Sequence, residues 1–101
     1  MRYMSTRGAW ADDPQPFCAI LLEGLAPDGG LAVPQAYPLL ASADLAALRH
    51  ANYRDLAFAI LSRFIGDIPA PDLKSIIDRT YTKATFGNDD ITPVSTLEPG
   101  L

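Results

Sequence analysis

A turn signal followed by a strand signal lies within residues 24–34, which read Gly24-Leu25-Ala26-Pro27-Asp28-Gly29-Gly30-Leu31-Ala32-Val33-Pro34. Residues 27–30 predict a tight turn, because proline presets φ, aspartate bonds to nearby backbone and glycine permits positive φ. The apolar residues 31–33 that follow predict a short β-strand, which Pro34 brings to an end. A turn followed at once by a short strand indicates that an earlier segment of the chain pairs with residues 31–33.

The residues before this turn predict a strand and then a helix. Residues 2–6 favour extended structure. The segment Asp12-Asp13-Pro14 suits a helix start, because aspartate caps free backbone N–H groups and proline fits the first helical position. Gly24 suits the left-handed position past the helix end, where Leu25 would contact Ile20 in a Schellman motif. The strand–helix–strand order allows a short parallel pair of strands joined by a helical crossover.

The residues after the second strand predict three further helices. Ser42 can cap the first of them, Asn52 with Asp55 can cap the second, and Pro69 begins the third. The second helix has apolar residues at helical spacing and is expected at the centre of the core. The predicted fold class is therefore α+β: a small, mostly helical domain of about four helices with a short two-stranded β element near residues 2–6 and 31–33.

The composition indicates one small domain. The 101 residues are 49% hydrophobic and 20% charged, with a net charge of −4. A chain of this length buries roughly 60–70% of its unfolded surface, which supports one modest core. The eight Lys and Arg are scattered from Arg2 to Lys83, so the concentrated basic surface of a nucleic-acid binder is missing. Neither a signal peptide nor the ~20 apolar residues of a membrane span is present, which predicts a cytoplasmic protein.

Few residues in the chain are able to carry chemistry. Cys18 is the only cysteine and His50 the only histidine, so neither an internal disulfide nor a cysteine-based metal site can form. Lys74 lies on the polar face of its predicted helix, whereas a Schiff-base lysine needs an apolar pocket. The segment Ser5-Thr6-Arg7-Gly8 can hold an anion through two hydroxyls and a guanidinium. The alternative is a strand end whose side chains bond to the backbone.

Two segments and the distance between them resemble the N-terminal part of threonine synthases. Tyr3-Met4-Ser5-Thr6-Arg7-Gly8 is similar to the Y-x-S-T-R-G of the bacterial and fungal enzymes. Residues 24–34 resemble the G-L-A-x-D-G-G-L-x-V-P of the same family, although Ala32 replaces the usual Tyr or Phe. Residues 9–16 match poorly. Further positions match in the same order along the chain: Tyr53, Phe64-Ile65, Ile68-Pro69, Tyr81 and Ile91-Thr92-Pro93-Val94.

The resemblance implies what the parent protein of this domain does. Threonine synthases are pyridoxal-phosphate lyases that convert O-phospho-L-homoserine and water to L-threonine and phosphate. The cofactor lysine of the family lies in a downstream H-G-P-T-x-A-F-K-D motif, which neither Lys74 nor Lys83 matches. The resemblance therefore predicts an N-terminal domain or fragment that is inactive on its own. It has no catalytic, cofactor-binding or metal-binding residue, and pyridoxal phosphate belongs to the rest of the parent enzyme.

The resemblance also predicts how the chain is organised. Residues 1–90 form the domain, and residues 91–101 form an extended segment that leads to the pyridoxal-phosphate-binding catalytic domains. Those domains are the expected partners, and nucleic acid, membrane and metal are not expected. The candidates for an interface or substrate-side role are Ser5, Thr6, Arg7, Asp28, Gly29 and Gly30. The alternative from a different class is a free-standing small helical module that binds a partner protein through an exposed apolar stripe.

Overall fold

A computed structural model describes residues 1–101 and confirms the predicted α+β class. It has two strands and five helices, of which four span seven or more residues. In chain order they are β1 (Tyr3–Ser5), α1 (Phe17–Glu23), β2 (Ala32–Pro34), α2 (Ser42–Leu48), α3 (Tyr53–Phe64), α4 (Ala70–Thr80) and α5 (Lys83–Phe86). Residues 91–101 contain neither a helix nor a strand, and Ile91 is buried.

The two strands pair antiparallel, so the parallel pair that the strand–helix–strand order allows does not form. In the observed register Tyr3 lies opposite Pro34, and Ser5 lies opposite Ala32. The reason is that the chain turns back directly after β1 and bridges Gln15 to Tyr3 before any helix begins. Helix α1 therefore starts near Tyr3, the first residue of β1. By the end of α1 and the following turn the chain has returned to Ser5, the last residue of β1, which contacts Asp28. The turn at residues 27–30 then sends β2 in the opposite direction.

The same early return explains why α1 begins later than predicted. Asp12 and Asp13 lie in bends before the helix, and Pro16 occupies the N-cap without a side-chain hydrogen bond. The cap comes instead from Asp67, 49 residues away, whose Oδ2 accepts a hydrogen bond from the N–H of Cys18 at 2.8 Å. A distant carboxylate thus satisfies one of the free N–H groups that every helix start leaves.

Helix α1 ends at Gly24, but not in the predicted Schellman motif. Gly24 has the positive φ of 77° that glycine tolerates, and its N–H donates to the carbonyl of Ile20 at 3.0 Å. The N–H of Leu25 bonds to the nearby carbonyl of Glu23 at 3.0 Å, whereas a Schellman motif would send it back into the helix. Leu25 is left largely in solvent.

The sequence predicts the N-cap residue of α3 correctly and that of α2 only to within one residue. The N-cap of α2 is Ala41, so the prediction of Ser42 was wrong by one residue; the carboxylate of Asp44 accepts from the Ala41 N–H at 3.0 Å. The prediction of Asn52 for α3 is confirmed, because its side chain accepts from the N–H of Asp55 at 2.9 Å. Both arrangements place a carboxylate in the first turn, where the helix dipole favours it.

The core lies where α3 packs on α4. Ile65, Leu73 and Ile77 form its buried centre. Helix α3 was predicted to be central, but its apolar residues pack against this cluster without being fully buried. The sheet is tied to the helices by Tyr3, whose hydroxyl donates to the carbonyl of Phe64 at 2.6 Å. None of the helices combines the length and the apolar character needed to cross a membrane.

This core is thin for the size of the chain. Only 8 of 101 residues are buried, and the accessible surface is 7217 Å². A compact monomer of 10.9 kDa exposes about 5,600 Å², so this chain exposes about 1,600 Å² more. The radius of gyration of 16.4 Å also exceeds the value of about 13 Å expected for a compact domain of this length. The exposed groups include large apolar side chains such as Leu22, Leu39 and Val94.

Candidate functional site

The six residues singled out from the sequence meet at the end of the sheet where β1 finishes and β2 begins. Ser5 is the last residue of β1, and its side chain is 2% exposed. Its hydroxyl donates to Oδ1 of Asp28 at 2.7 Å and accepts from the N–H of Arg7 at 3.1 Å. Ser5 thus joins the loop after β1 to the turn before β2.

Asp28 is the centre of this cluster. Besides the Ser5 hydroxyl, its carboxylate accepts from the N–H of Gly30 at 3.0 Å and from the N–H of Ala9 at 2.8 Å. The hydrogen bond from Ser5, followed by those from the backbone, holds the pKa of Asp28 below its usual range. A carboxylate so stabilised is a weak base, so the Ser5–Asp28 pair is not an activated nucleophile.

Gly29 and Gly30 are required by the close approach of the two loops. Gly29 has a φ of +75°, and a Cβ there would lie 3.0 Å from Nη1 of Arg7. A Cβ on Gly30 would collide with the Ser5 hydroxyl and would lie 3.0 Å from Oδ1 of Asp28. The predicted turn is confirmed, since the N–H of Gly29 donates to the carbonyl of Ala26 at 2.9 Å.

Thr6 fastens the loop to the first residue after the turn. Its backbone N–H donates to the carbonyl of Leu31 at 2.9 Å, and its Oγ1 accepts from the N–H of Leu31 at 3.0 Å. This paired contact leaves the apolar side chain of Leu31 pointing into solvent, where it is 62% exposed. The polar cluster therefore borders an uncovered apolar residue.

Arg7 is the member of the cluster with donors to spare. Its Nη1 donates to the backbone carbonyl of Asp28 at 3.1 Å, and the remaining guanidinium N–H groups have no partner within the chain. The side chain lies in solvent. The side-chain oxygens of Ser5, Thr6 and Asp28 already make hydrogen bonds within the chain. Arg7 is therefore the one residue here that can reach an anion or carboxylate outside the chain.

Cys18 and Asp67 form a second polar contact, which local sequence does not reveal because 49 residues separate them. Hydrogen bonding to Asp67, together with burial, raises the pKa of the Cys18 thiol. The backbone N–H of Cys18 in turn lowers the pKa of Asp67. A reactive thiol needs a lowered pKa, so this environment suits a structural cysteine.

Neither lysine fits the role of a pyridoxal-phosphate lysine. Nζ of Lys74 lies 2.8 Å from Asp78 and 3.0 Å from Asp55, and these hydrogen bonds raise its pKa. Nζ of Lys83 lies 3.4 Å from Asp89 on an exposed surface. A Schiff-base lysine works through a lowered pKa in an apolar pocket. His50 is exposed just beyond α2, and no group of His, Cys, Asp and Glu could hold a metal ion.

The fold and the cluster together define a small α+β domain. It combines a pair of loops locked by hydrogen bonds with a thin core and an excess of uncovered apolar surface. In accord with this class, a sequence profile described as "Threonine synthase N terminus" matches residues 2–81. The chain belongs to the threonine synthase family, and the resemblance noted in the sequence is confirmed.

Individual relatives show which part of the family's sequence this is. The chain is 51% identical over 108 aligned positions to the threonine synthase of Methylobacillus glycogenes, covering 100% of this chain and 22% of that protein. It is 45% identical to the threonine synthase of Corynebacterium glutamicum, with the same coverage. The crystal structure of the PLP-bound threonine synthase of Brucella melitensis superposes with a TM-score of 0.80 at 38% identity, over 97% of this chain and 20% of that one. The chain thus spans about a fifth of these relatives and corresponds to their N-terminal region.

Proposed function

We propose that this chain is the N-terminal domain of a cytoplasmic threonine synthase that converts O-phospho-L-homoserine and water to L-threonine and phosphate. The match over the full chain to relatives about five times longer carries this proposal. Residues 1–90 are the domain, and residues 91–101 lead to the domains that bind pyridoxal phosphate. Those domains are its partners.

The isolated chain is expected to be inactive, because both of its lysines are held by carboxylates in solvent. A direct test is to add pyridoxal phosphate to the purified 101 residues and record the absorbance of a lysine-bound cofactor. We expect no such band. A band that disappears in a Lys74→Met or a Lys83→Met variant would contradict the proposal. Reading the gene beyond codon 101 is an independent check, since the proposal requires a further H-G-P-T-x-A-F-K-D motif.

Within the parent enzyme, the cluster of Ser5, Thr6, Arg7, Asp28, Gly29 and Gly30 is assigned to an interface with the catalytic domains or to the substrate side. Arg7 supports this assignment because its free N–H groups face outward. The test is Arg7→Ala in the full-length enzyme, with Arg49→Ala as the matched control, since Arg49 is exposed and its side chain has no hydrogen bond. The assignment requires a change in KM, kcat or unfolding temperature with Arg7→Ala alone. If both variants match the parent enzyme in all three, Arg7 only fastens the turn.

A second candidate function is the free-standing interaction module, which the uncovered apolar surface also favours. The two candidates differ in what the reading frame encodes. A frame that ends at codon 101 favours the module, and a frame that continues into catalytic domains favours the enzyme domain.

A further inference from the structure

Helix α1 is apolar on every side, and yet none of its residues is fully buried. Six consecutive apolar residues, Phe17–Leu22, make up all of it but its last residue. A helix that is apolar all round normally lies inside a larger protein body. In this chain none of its residues is buried. Its length of seven residues is far too short to cross a membrane, so a protein surface is the environment it suits.

The two flanks of α1 open into apolar clefts. On one flank, Phe17 and Leu21 face Ile76 and other apolar residues of α4 across a cleft of about 230 Å³. On the other flank, a cleft of about 400 Å³ lies between α1 and the start of β2, lined by Ile20, Leu31 and Val33. The two clefts share Phe17 and Leu21 and therefore form one continuous apolar face.

The outermost part of this face is the most exposed. Leu21, which lines both clefts, is 63% exposed, and Leu31, which lines the second cleft, is 62% exposed. By contrast, the seam between α3 and α4 around Lys74 carries the ion pairs to Asp55 and Asp78. Charged pairs of this kind suit a solvated surface, whereas several neighbouring leucines in water mark an interaction site.

We infer that this apolar face, made by α1 with Leu31 and Val33, is the surface on which the rest of the parent polypeptide docks. The inference rests on the proposed function, because the occupant is the remaining four fifths of a threonine synthase. Arg7 lies at the rim, since Thr6 joins its loop to Leu31. An apolar centre with an arginine at its edge matches the usual anatomy of protein interfaces.

The length of the relatives favours this occupant over a second copy of the chain. The chain covers only 22% of each of the two threonine synthases described above. The remaining four fifths of such a polypeptide is covalently connected to this domain, so it is held near the face at a high effective concentration. A second copy would have to compete with that connected body for the same face.

Hydrogen exchange at residues 17–25 tests the inference, because protection follows burial and local stability. In the full-length protein we expect these amides to exchange at least about tenfold more slowly than in the isolated chain. Leu21→Glu should abolish this difference, because Leu21 lines both clefts, and it should change the unfolding midpoint of the isolated chain little, because Leu21 is 63% exposed there. Leu39→Glu is the matched control, because Leu39 is 92% exposed and lies in neither cleft.

The possible results separate the docking surface from the proposed function. Equal exchange in both proteins, or equal loss of protection with Leu39→Glu, would overturn the docking surface even if the full-length protein releases phosphate from O-phospho-L-homoserine. Protection that develops in the isolated chain at high concentration together with a doubled mass would also overturn it, in favour of a second copy. Protection in a full-length protein without that activity would support the docking surface and overturn the proposed function alone.

Discussion

Gly30→Ala should destabilise the chain by crowding the contact between the loops at residues 5–9 and 26–30. A Cβ at this position collides with the hydroxyl of Ser5 and lies 3.0 Å from Oδ1 of Asp28 and 3.1 Å from the N–H nitrogen of Arg7. Ser5 is buried and held on two sides, so it has little room to move. Overpacking of this kind costs about 1–3 kcal/mol.

For a domain of about 100 residues, this cost corresponds to an unfolding temperature lower by roughly 5–20 °C. The assay is thermal unfolding of the 101-residue chain followed by circular dichroism. Gly66→Ala is the matched control, because Gly66 has no positive φ and its nearest neighbour is the Met1 nitrogen at 3.4 Å, an ordinary contact. The control should be neutral or slightly stabilising, since alanine lowers the entropy of the unfolded chain.

A double variant isolates the collision as the cause. Ser5→Ala removes the hydroxyl with which the new Cβ collides, so Gly30→Ala should cost less in that background, although the contacts with Asp28 and Arg7 remain. The two substitutions are therefore expected to be non-additive, with the double variant more stable than the sum of the two single effects predicts. Additive effects, or a Gly30→Ala variant as stable as Gly66→Ala, would refute the account of this contact.

Two further predictions follow from the charged groups. The pKa values of Asp28, Asp55 and Asp67 are all lowered in the folded chain, by the hydrogen bonds from Ser5, Lys74 and the Cys18 N–H respectively. These carboxylates therefore stabilise the folded chain above the ordinary carboxyl pKa of about 4. That stabilisation is lost as the pH falls through the lowered pKa values of the folded state. Urea unfolding at a series of pH values will measure this loss. Asp67→Ala should lower the free energy of unfolding by about 1 kcal/mol, the typical value of a helix cap. It should also make the free energy of unfolding less dependent on acid pH. An unchanged urea midpoint would show that α1 does not depend on this cap.

Features that depend on neighbouring residues could be predicted from the sequence. Asn52 and Asp55 lie three residues apart, and the N-cap that they form is present in the structure. The turn at residues 27–30 is equally local, because its proline, aspartate and two glycines each supply a backbone requirement of the turn. These elements come out correctly because the interactions that form them lie within a few residues of one another.

Features that depend on distant residues could not be predicted. The cap of α1 comes from Asp67, which no local pattern connects with Cys18. The direction of β2 depends on the bridge between Tyr3 and Gln15, which returns the chain before α1 begins. A pattern of strand, helix and strand is the same for both directions of β2, so the sequence pattern could not determine that direction.

The candidate site was found by resemblance more than by local chemistry. The hydroxyls and guanidinium of residues 5–7 indicated either an anion site or a strand end bonded to the backbone. In the structure Ser5 and Thr6 make such bonds, and Arg7 alone keeps free donors. The contact of Ser5 with Asp28 spans 23 residues, and both residues belong to segments that resemble the same family.

Phosphate release from O-phospho-L-homoserine tests the central claim most directly. The measurement compares the protein made from the full reading frame with the 101-residue chain alone, both supplied with pyridoxal phosphate. An N-terminal domain of a threonine synthase predicts that the full-length protein releases phosphate and forms threonine, whereas the isolated chain releases none. Phosphate release by the isolated chain, or none from the full-length protein, would contradict the claim.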